Sequence, residues 1–309
     1  MQVIRDLDSL PPALRSGAVA VGNFDGVHVG HARILERLVA KARQLAAAAV
    51  VFTFDPPAAA ILRPGQAPPL LTSTARKAQL LAALGVEALV AYPTNEAFLN
   101  LAPRAFFDQI IVGRLEARAL VEGYNFFFGR GRAGNVETLA EFCREAGISM
   151  DVVEPVHVGG QVVSSSRIRA LVAEGRVEEA RRMLVRPHRI RGVVIRGAGR
   201  GRKLGYPTAN LDRVDTLLPA GGIYAGLAQV DGDVRPAAIS VGPNPTFGEG
   251  ALKVEVHLID YDGWLYDRHV EVDFLARLRD IQRFDSIDEL VRQMNQDIAA
   301  ARQIAAQPA

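Results

Sequence analysis

The chain reads as two folds joined end to end: an α/β unit with a parallel sheet, then an all-β unit closed by one helix. Two changes of texture predict this. Up to residue 184, short apolar runs alternate with segments of helical period, as in an open parallel sheet with helices on both faces. After Arg186-Pro187, short alternating segments separated by glycine and proline replace the helices, the spacing of an antiparallel β-barrel. The units are therefore drawn as 1–184 and 185–309.

In the first unit the predicted strands are Val19–Val21, Val50–Phe54, Ala88–Tyr92, Ala119–Glu122 and Ser149–Val153. Helical patterns fill the gaps, with Ser73 and Asn135 placed as N-caps and Gly85 and Gly147 as helix ends. In the second unit the strands are Ile190–Ile195, Ile223–Val230, Ala237–Val241, Lys253–Ile259 and His269–Phe274. A last helix opens at Ser286, with Glu289 three residues later as a capping box. Its apolar positions Ile287, Leu290, Val291, Met294 and Ile298 are expected to pack on the barrel.

Composition sets limits on partners and compartment. A 309-residue chain that is 49% hydrophobic and 23% charged can build two cores of unequal size. Its formal charge of +2 is too small for a nucleic-acid binder, although arginines around 181–203 form a local basic patch. Cys143 is the only cysteine, which excludes an internal disulfide and a cysteine-rich zinc site. Met1–Leu10 carries Arg5, Asp6 and Asp8 in place of an apolar signal core, and the 45–54 run is too short to cross a bilayer. The expectation is a cytoplasmic protein with small-molecule partners, no nucleic acid and no membrane, with homo-oligomerisation left open.

The most informative stretch is Val21-Gly22-Asn23-Phe24-Asp25-Gly26-Val27-His28-Val29-Gly30-His31. It follows a strand and opens a helix in which Ile34, Leu35, Leu38, Val39, Ala42 and Leu45 recur at helical spacing. Its glycines let backbone approach a ligand, and the helix start favours an anion. His28 and His31 share a face in the first turn. Neither the Walker pattern nor a GxGxxG follows the strand, which argues against a P-loop kinase and a dinucleotide-binding dehydrogenase.

Four further segments carry chemistry. Gly123-Tyr124-Asn125-Phe126-Phe127-Phe128-Gly129 lies at the end of a predicted strand; its aromatics suit a core, and Asn125 can orient a nucleotide's polar groups. Ser164-Ser165-Ser166-Arg167-Ile168-Arg169 enters a helix with hydroxyls and two guanidinium groups suited to polyphosphate; read alone it is equally an N-cap serine with solvated arginines. Gly197 to Leu211 combines a flexible basic loop, containing Gly199, Gly201, Lys203 and Gly205, with a rigid turn at Pro207. Thr208 and Asn210 point the same way from it, as a pair able to hold Mg²⁺ and phosphate oxygens. On Lys253–Ile259, Val254, Val256 and Leu258 fall on one face and Glu255 and His257 on the other. Glu255 is a general base if that face lines a cavity, and an ordinary strand glutamate if it does not.

Taken together and in this order, the segments resemble the bacterial bifunctional riboflavin kinase/FAD synthetase family along essentially the whole chain. GNFDGVHVGH fits its G-x-F-D-G-x-H-x-G-H signature, and GYNFFFG, SSSRIR, GYPTANL, the Ile239–Gly248 stretch and Val254-Glu255-Val256-His257 follow. The resemblance implies a Rossmann-like nucleotidyltransferase first unit that joins FMN to the AMP part of ATP, and a second that phosphorylates riboflavin. It implies that His28 and His31 stabilise the triphosphate as pyrophosphate leaves. The nucleotide would lie on Gly22, Phe24, Asp25, Gly26, Asn125, Ser164, Ser165, Ser166, Arg167 and Arg169. In the second unit the basic loop with Gly199, Gly201, Lys203, Gly205 and Pro207 would bind ATP. Thr208 and Asn210 would place Mg-ATP, and Glu255 would take the proton of the attacking ribityl hydroxyl. The family pattern Phe-Asp-Pro-His-Pro reads here Phe54-Asp55-Pro56-Pro57-Ala58, without the histidine. That motivates an alternative, a riboflavin kinase whose first unit is degenerate or uses another acceptor.

Overall fold

Ala18–Val21 is apolar and buried throughout, as a strand covered on both faces must be, and it forms an interior strand of a six-stranded sheet. The strands are β1 (Gln2–Ile4), β2 (Ala18–Val21), β3 (Ala49–Phe54), β4 (Ala88–Tyr92), β5 (Ala119–Gly123) and β6 (Ser149–Val153). Their order is β1-β4-β3-β2-β5-β6, and every neighbouring pair is parallel. The computed structural model describes residues 1–247 and 249–307, without the side chains of Lys203, Phe247 and Glu249; Gly248 and the Lys203 side chain thus lie outside the described residues.

The sheet predicted from the sequence is present, with β1 added at its edge. Phe52, Phe98, Phe106, Phe107 and Leu120 belong to the buried cluster against this sheet. Helix α1 (Val29–Gln44) buries Leu35, Leu38 and Ala42. Ser73 and Asn135 cap their helices by accepting the N–H of Arg76 and Thr138, and Gly147 ends its helix in the left-handed conformation with φ 69°. A short hairpin of β7 (His157–Val158) and β8 (Gln161–Val162) follows β6.

The strand order reverses at β2: the chain passes to β3 and β4 on one side, then to β5 and β6 on the other. Such a reversal opens a crevice at the carboxyl ends of the strands. Here β2 and β5 pair only at Ala18↔Ala119 and Val19↔Leu120, and then part. Beyond that point the Val21 N–H is taken by a side chain, donating to Glu122 Oε1 at 2.7 Å. Burial holds the Glu122 carboxyl well above the usual carboxylate range, against the opposing pull of that hydrogen bond, so the group is neutral.

By its contacts the chain forms two units, Met1–Pro68 with Thr72–Ser164, and Pro69–Leu71 with Ser165–Ala309. This division falls at Ser164/Ser165, not at 184/185. The reason is packing: Val177 joins the buried cluster of the barrel, and Glu178 Oε1 accepts the Arg277 N–H at 2.8 Å. The helix Val177–Met183 thus buries against β-structure that follows it in sequence, and Ser165–Ala173 packs on that helix.

The second unit is a closed antiparallel barrel of β9 (Arg189–Ile195), β10 (Ala209–Asp212), β11 (Gly222–Val230), β12 (Asp233–Asn244), β13 (Glu249–Leu258) and β14 (His269–Arg279). Its interior is filled by Val194, Tyr224, Ile239, Val254, Val256 and Phe274. The final helix, Ile287–Ala305, is capped by Ser286, which accepts the Glu289 N–H at 3.2 Å. Leu290, Met294 and Ile298 are half-buried, whereas Ile287 is exposed in the first turn. Arg279 at the end of β14 clasps the buried Asp297 of this helix with Nη2 at 2.7 Å and Nε at 3.1 Å, and Gln293 adds a third bond at 3.0 Å.

The neutral Glu122 predicts a pH signature. Its folded pKa is raised, so the unfolded chain loses the proton first, and stability falls as pH rises above the ordinary carboxylate value. Glu122→Gln keeps an acceptor for Val21 and cannot ionise. In thermal unfolding the variant should match the parent at pH 4 and exceed it by about 2 °C or more at pH 8.

Candidate active sites

β2 delivers the chain into Gly22-Asn23-Phe24-Asp25-Gly26-Val27, and α1 leaves from it. The loop turns through positive φ at Phe24 (45°), Gly26 (83°) and Val27 (40°), a costly conformation for a β-branched valine that the surroundings must hold. Buried Asp25 does part of this: its Oδ1 accepts the Thr72 N–H at 3.0 Å and the Thr72 hydroxyl at 3.1 Å. The same hydroxyl accepts the Gly26 N–H at 3.1 Å. Gly22, Phe24, Asp25 and Gly26 are thus gathered at one turn.

His28 is the N-cap of α1. Its Nδ1 accepts the His31 N–H at 3.1 Å, and His31 Nδ1 accepts the His28 N–H at 3.4 Å, a reciprocal capping box made of two imidazoles. The rings stack with centroids 3.5 Å apart and planes 13° off parallel. A Cβ on Gly30 would lie 3.1 Å from the His28 ring, so a glycine leaves room for that ring. Because both Nδ1 atoms accept, the protons of the neutral rings sit on Nε2.

Burial lowers the His28 pKa to about 4, against the raising influence of a backbone hydrogen bond and Asp25. Burial also takes His31 well below the usual value, helped by His28 and Lys77. Both rings are therefore neutral at pH 7, and each presents one Nε2–H donor beside the positive end of α1. That arrangement can hold phosphate oxygens while charge develops on a leaving pyrophosphate.

Asn125 lies beside Gly123, where an added Cβ would be 3.6 Å from Asn125 Oδ1 and 3.3 Å from Ile34 Cδ1 of α1. Phe128 is buried core and Phe126 packs against it, while Tyr124 and Phe127 are exposed. Pro57 precedes the helix Ala58–Leu62, and the adjacent Asp55 accepts from Arg5 Nη1 at 2.8 Å and Thr74 Oγ1 at 3.1 Å. Ser164 falls in the first unit, whereas Ser165, Ser166, Arg167 and Arg169 fall in the second, where Arg169 Nε donates to Pro69 O at 3.0 Å. Lys77, Thr53 and Thr72 complete the surroundings of the loop, and the sequence did not single them out. A lysine among the polar positions of an amphipathic helix reads as solvated face.

In the second unit the register sets the chemistry. Asn210 on β10 and Ser240 on β12 stand directly opposite Glu255 on β13, so the three form one row. Val254 and Val256 point into the barrel, and the row therefore faces outward. It opens into a cavity of about 510 Å³ lined by Gly199, Gly201, Pro207, Thr208, Asn210 and Glu255, with Leu290, Met294 and Ile298 of the last helix also in its wall. Gly205 ends the short helix Arg200–Lys203 at φ 88° and is not among the lining residues. A Cβ on Gly201 would lie 2.4 Å from Tyr206 O and 3.5 Å from Thr208 Oγ1, so only glycine lets the basic loop fold onto the turn. His257 donates from Nδ1 to Pro207 O at 2.8 Å, and Tyr206 Oη donates to Asn295 at 2.8 Å, pinning that turn to strand and helix.

Fold and sites together define a two-unit transferase that handles phosphate-bearing substrates. A family model described as FAD synthetase matches residues 10–167, and one described as riboflavin kinase matches residues 184–305. The chain belongs to the bifunctional riboflavin kinase/FMN adenylyltransferase family. The member from Pseudomonas fluorescens is 36% identical over 307 residues, covering 99% of this chain and 98% of its own. That from Bacillus subtilis (strain 168) is 33% identical over 285 residues, covering 90% and 89%. A crystal structure described as a macrolide-efflux protein from Streptococcus pneumoniae superposes with a TM-score of 0.87 at 31% identity, over 97% of this chain and 98% of that one. Among the described residues no helix is long and apolar enough to cross a membrane. Both enzymatic domains are present, which supports the two-activity reading over a kinase with a degenerate first unit.

The neutral histidines predict acid sensitivity. His28 is depressed to about 4 in the fold, so its contribution to stability is complete above its ordinary value of 6.5 and is lost as pH falls towards 4. His28→Asn retains a capping oxygen and does not titrate. Between pH 7 and 5 the variant should lose about 2 kcal/mol less stability than the parent, read from denaturant unfolding.

Proposed function

We propose that each unit performs one of two successive ATP-dependent reactions: the second converts riboflavin to FMN, and the first converts FMN to FAD with release of pyrophosphate. For function the two units are taken as sequence halves: the adenylylating half is 1–184, so it includes 165–183 beyond the first contact unit, and the kinase half is 185–309. What supports this reading is that each unit gathers a polar arrangement suited to phosphate. One is the pair of neutral imidazoles at the start of α1. The other is the Asn210–Glu255–Ser240 row in its outer cavity.

In the kinase half, Glu255 accepts the proton of the ribityl hydroxyl as its oxygen attacks the γ-phosphorus and ADP leaves. The Gly199–Pro207 loop folds over the nucleotide. The Thr208 hydroxyl and Asn210 amide oxygen share the cavity with the Glu255 carboxylate, a set of oxygen donors that suits Mg²⁺. Bound there with ATP, the ion would neutralise phosphate charge. In the adenylylating half, an FMN phosphate oxygen attacks the α-phosphorus of ATP. The bond to pyrophosphate breaks, and His28 and His31 donate from Nε2 to the phosphate oxygens. Asn125 orients the nucleotide, and Ser164–Ser166, Arg167 and Arg169 are carried from the sequence as phosphate-holding residues. The reading places the enzyme in the cytoplasm with small molecules as its partners.

Separate assays test the division of labour. Glu255→Gln should slow FMN formation from riboflavin by about 100-fold or more and leave FAD formation from supplied FMN within about twofold. Replacing His28 and His31 with alanine should give the reverse. Loss of both activities from either change in a folded protein would contradict the assignment of one reaction to each unit.

A further inference from the structure

The helix Thr74–Ala83 carries a lysine that its amphipathic pattern does not explain. Lys77 is 4% exposed. Its Nζ donates to Thr53 Oγ1 at 3.4 Å, and that hydroxyl donates in turn to Asn23 O at 3.3 Å, inside the phosphate loop. Two residues before this helix, Thr72 ties Asp25 to the Gly26 N–H. One short segment, 72–77, therefore reaches the loop at residue 23 with an ammonium relayed by Thr53, and at residues 25 and 26 through Thr72, which holds the Asp25 carboxylate.

Those grips carry opposite charges, and the ligand decides what each costs. Asp25 shapes the loop by accepting two hydrogen bonds, but a buried carboxylate beneath a triphosphate repels it in a low-dielectric setting. The histidines cannot offset this charge, because burial keeps both neutral. Asp55 already pairs with Arg5 at 2.8 Å. Burial pushes the Lys77 amine below the ordinary lysine range, while Asp25 and then Asp55 hold it up.

We infer that Lys77 is the positioning residue of the adenylyl-transfer site: its ammonium offsets the buried Asp25 charge and props the loop at Asn23 through Thr53, so that the loop can accept pyrophosphate-bearing ligands. The inference rests on the assignment of FMN adenylylation to the first unit. It names a cation behind the loop, a role the sequence motif places on no residue.

The test uses the reverse reaction, FAD plus pyrophosphate, measured on the full chain, with riboflavin kinase activity of the same sample showing that the chain is folded. Lys77→Met should raise KM for pyrophosphate by about tenfold or more while KM for FAD stays within about twofold. Lys77→Arg, which keeps the charge, should stay nearer the parent. The decisive variant combines Lys77→Met with Asp25→Asn, where the amide oxygen still accepts from Thr72 and the net charge matches the parent. Its KM for pyrophosphate should fall back towards the parent value, with Asp25→Asn alone at or below the parent. A Lys77→Met enzyme with unchanged KM for pyrophosphate, or a double variant no better than Lys77→Met, would overturn the inference. If Lys77→Met alone does not fold, the order of Asp25→Asn below its double variant is the reading, and equality of the two overturns it. A parent enzyme that shows no pyrophosphate-dependent loss of FAD would instead overturn the adenylylation assignment.

Discussion

Two imidazoles that cap one helix through each other's backbone impose the main constraint on the first unit. Each ring spends Nδ1 on the partner's N–H, which fixes the neutral tautomer with its proton on Nε2. Stacking at 3.5 Å excludes charge on both rings at once, since two imidazolium rings at that distance would repel strongly. The loop that feeds them must then turn tightly, which accounts for the left-handed residues at 24, 26 and 27 and for the Asp25–Thr72 clamp. The sheet must also open beside it, and Glu122 satisfies the N–H that the parting of β2 and β5 would strand.

The second unit solves a related problem with a different architecture. A small barrel fills its interior with side chains, so chemistry has to be placed on its outer surface. Alternation along β13 does this: Val254 and Val256 go in, and Glu255 and His257 go out. An outward carboxylate needs walls, which the basic glycine loop and the last helix supply. The Arg279–Asp297 pair, with Asp297 buried midway along the helix, and the Tyr206–Asn295 bond fasten that wall to the barrel. Breaking a pair of this kind leaves a buried charge stranded, so these residues help to hold the shape of the cavity.

Much of this was legible before any coordinates. Five of the six sheet strands announce themselves as apolar runs between turn residues, and the histidine loop lies at the strand-to-helix junction where its pattern places it. What escaped was set by partners distant in sequence. β1 is three residues with one buried side chain, and it exists because β4 pairs with it. The helices 165–183 look like a continuation of the α/β alternation, yet they pack with the barrel, because the period of a helix gives its apolar face but not the surface that covers it. Glu122 sits in a strand as one polar residue among apolar ones, and Lys77 sits in a helix among other polar positions. Their roles arise only where two strands diverge and where a loop folds back, and neither event leaves a local trace. Glu255, by contrast, was ambiguous for a simple reason: strand alternation gives its face, and only the closed barrel with its outer cavity shows what that face meets.

The central claim is that two chemically distinct attacks on ATP, at the γ- and the α-phosphorus, take place in one chain. The most direct measurement supplies riboflavin with ATP labelled at either the γ- or the α-phosphorus and follows label into each flavin. The account predicts γ-label in FMN and retained in FAD, α-label in FAD alone, and unlabelled FMN from α-labelled ATP. Label from the α-phosphorus in FMN, or γ-labelled FMN that never gains an α-phosphorus, would contradict it.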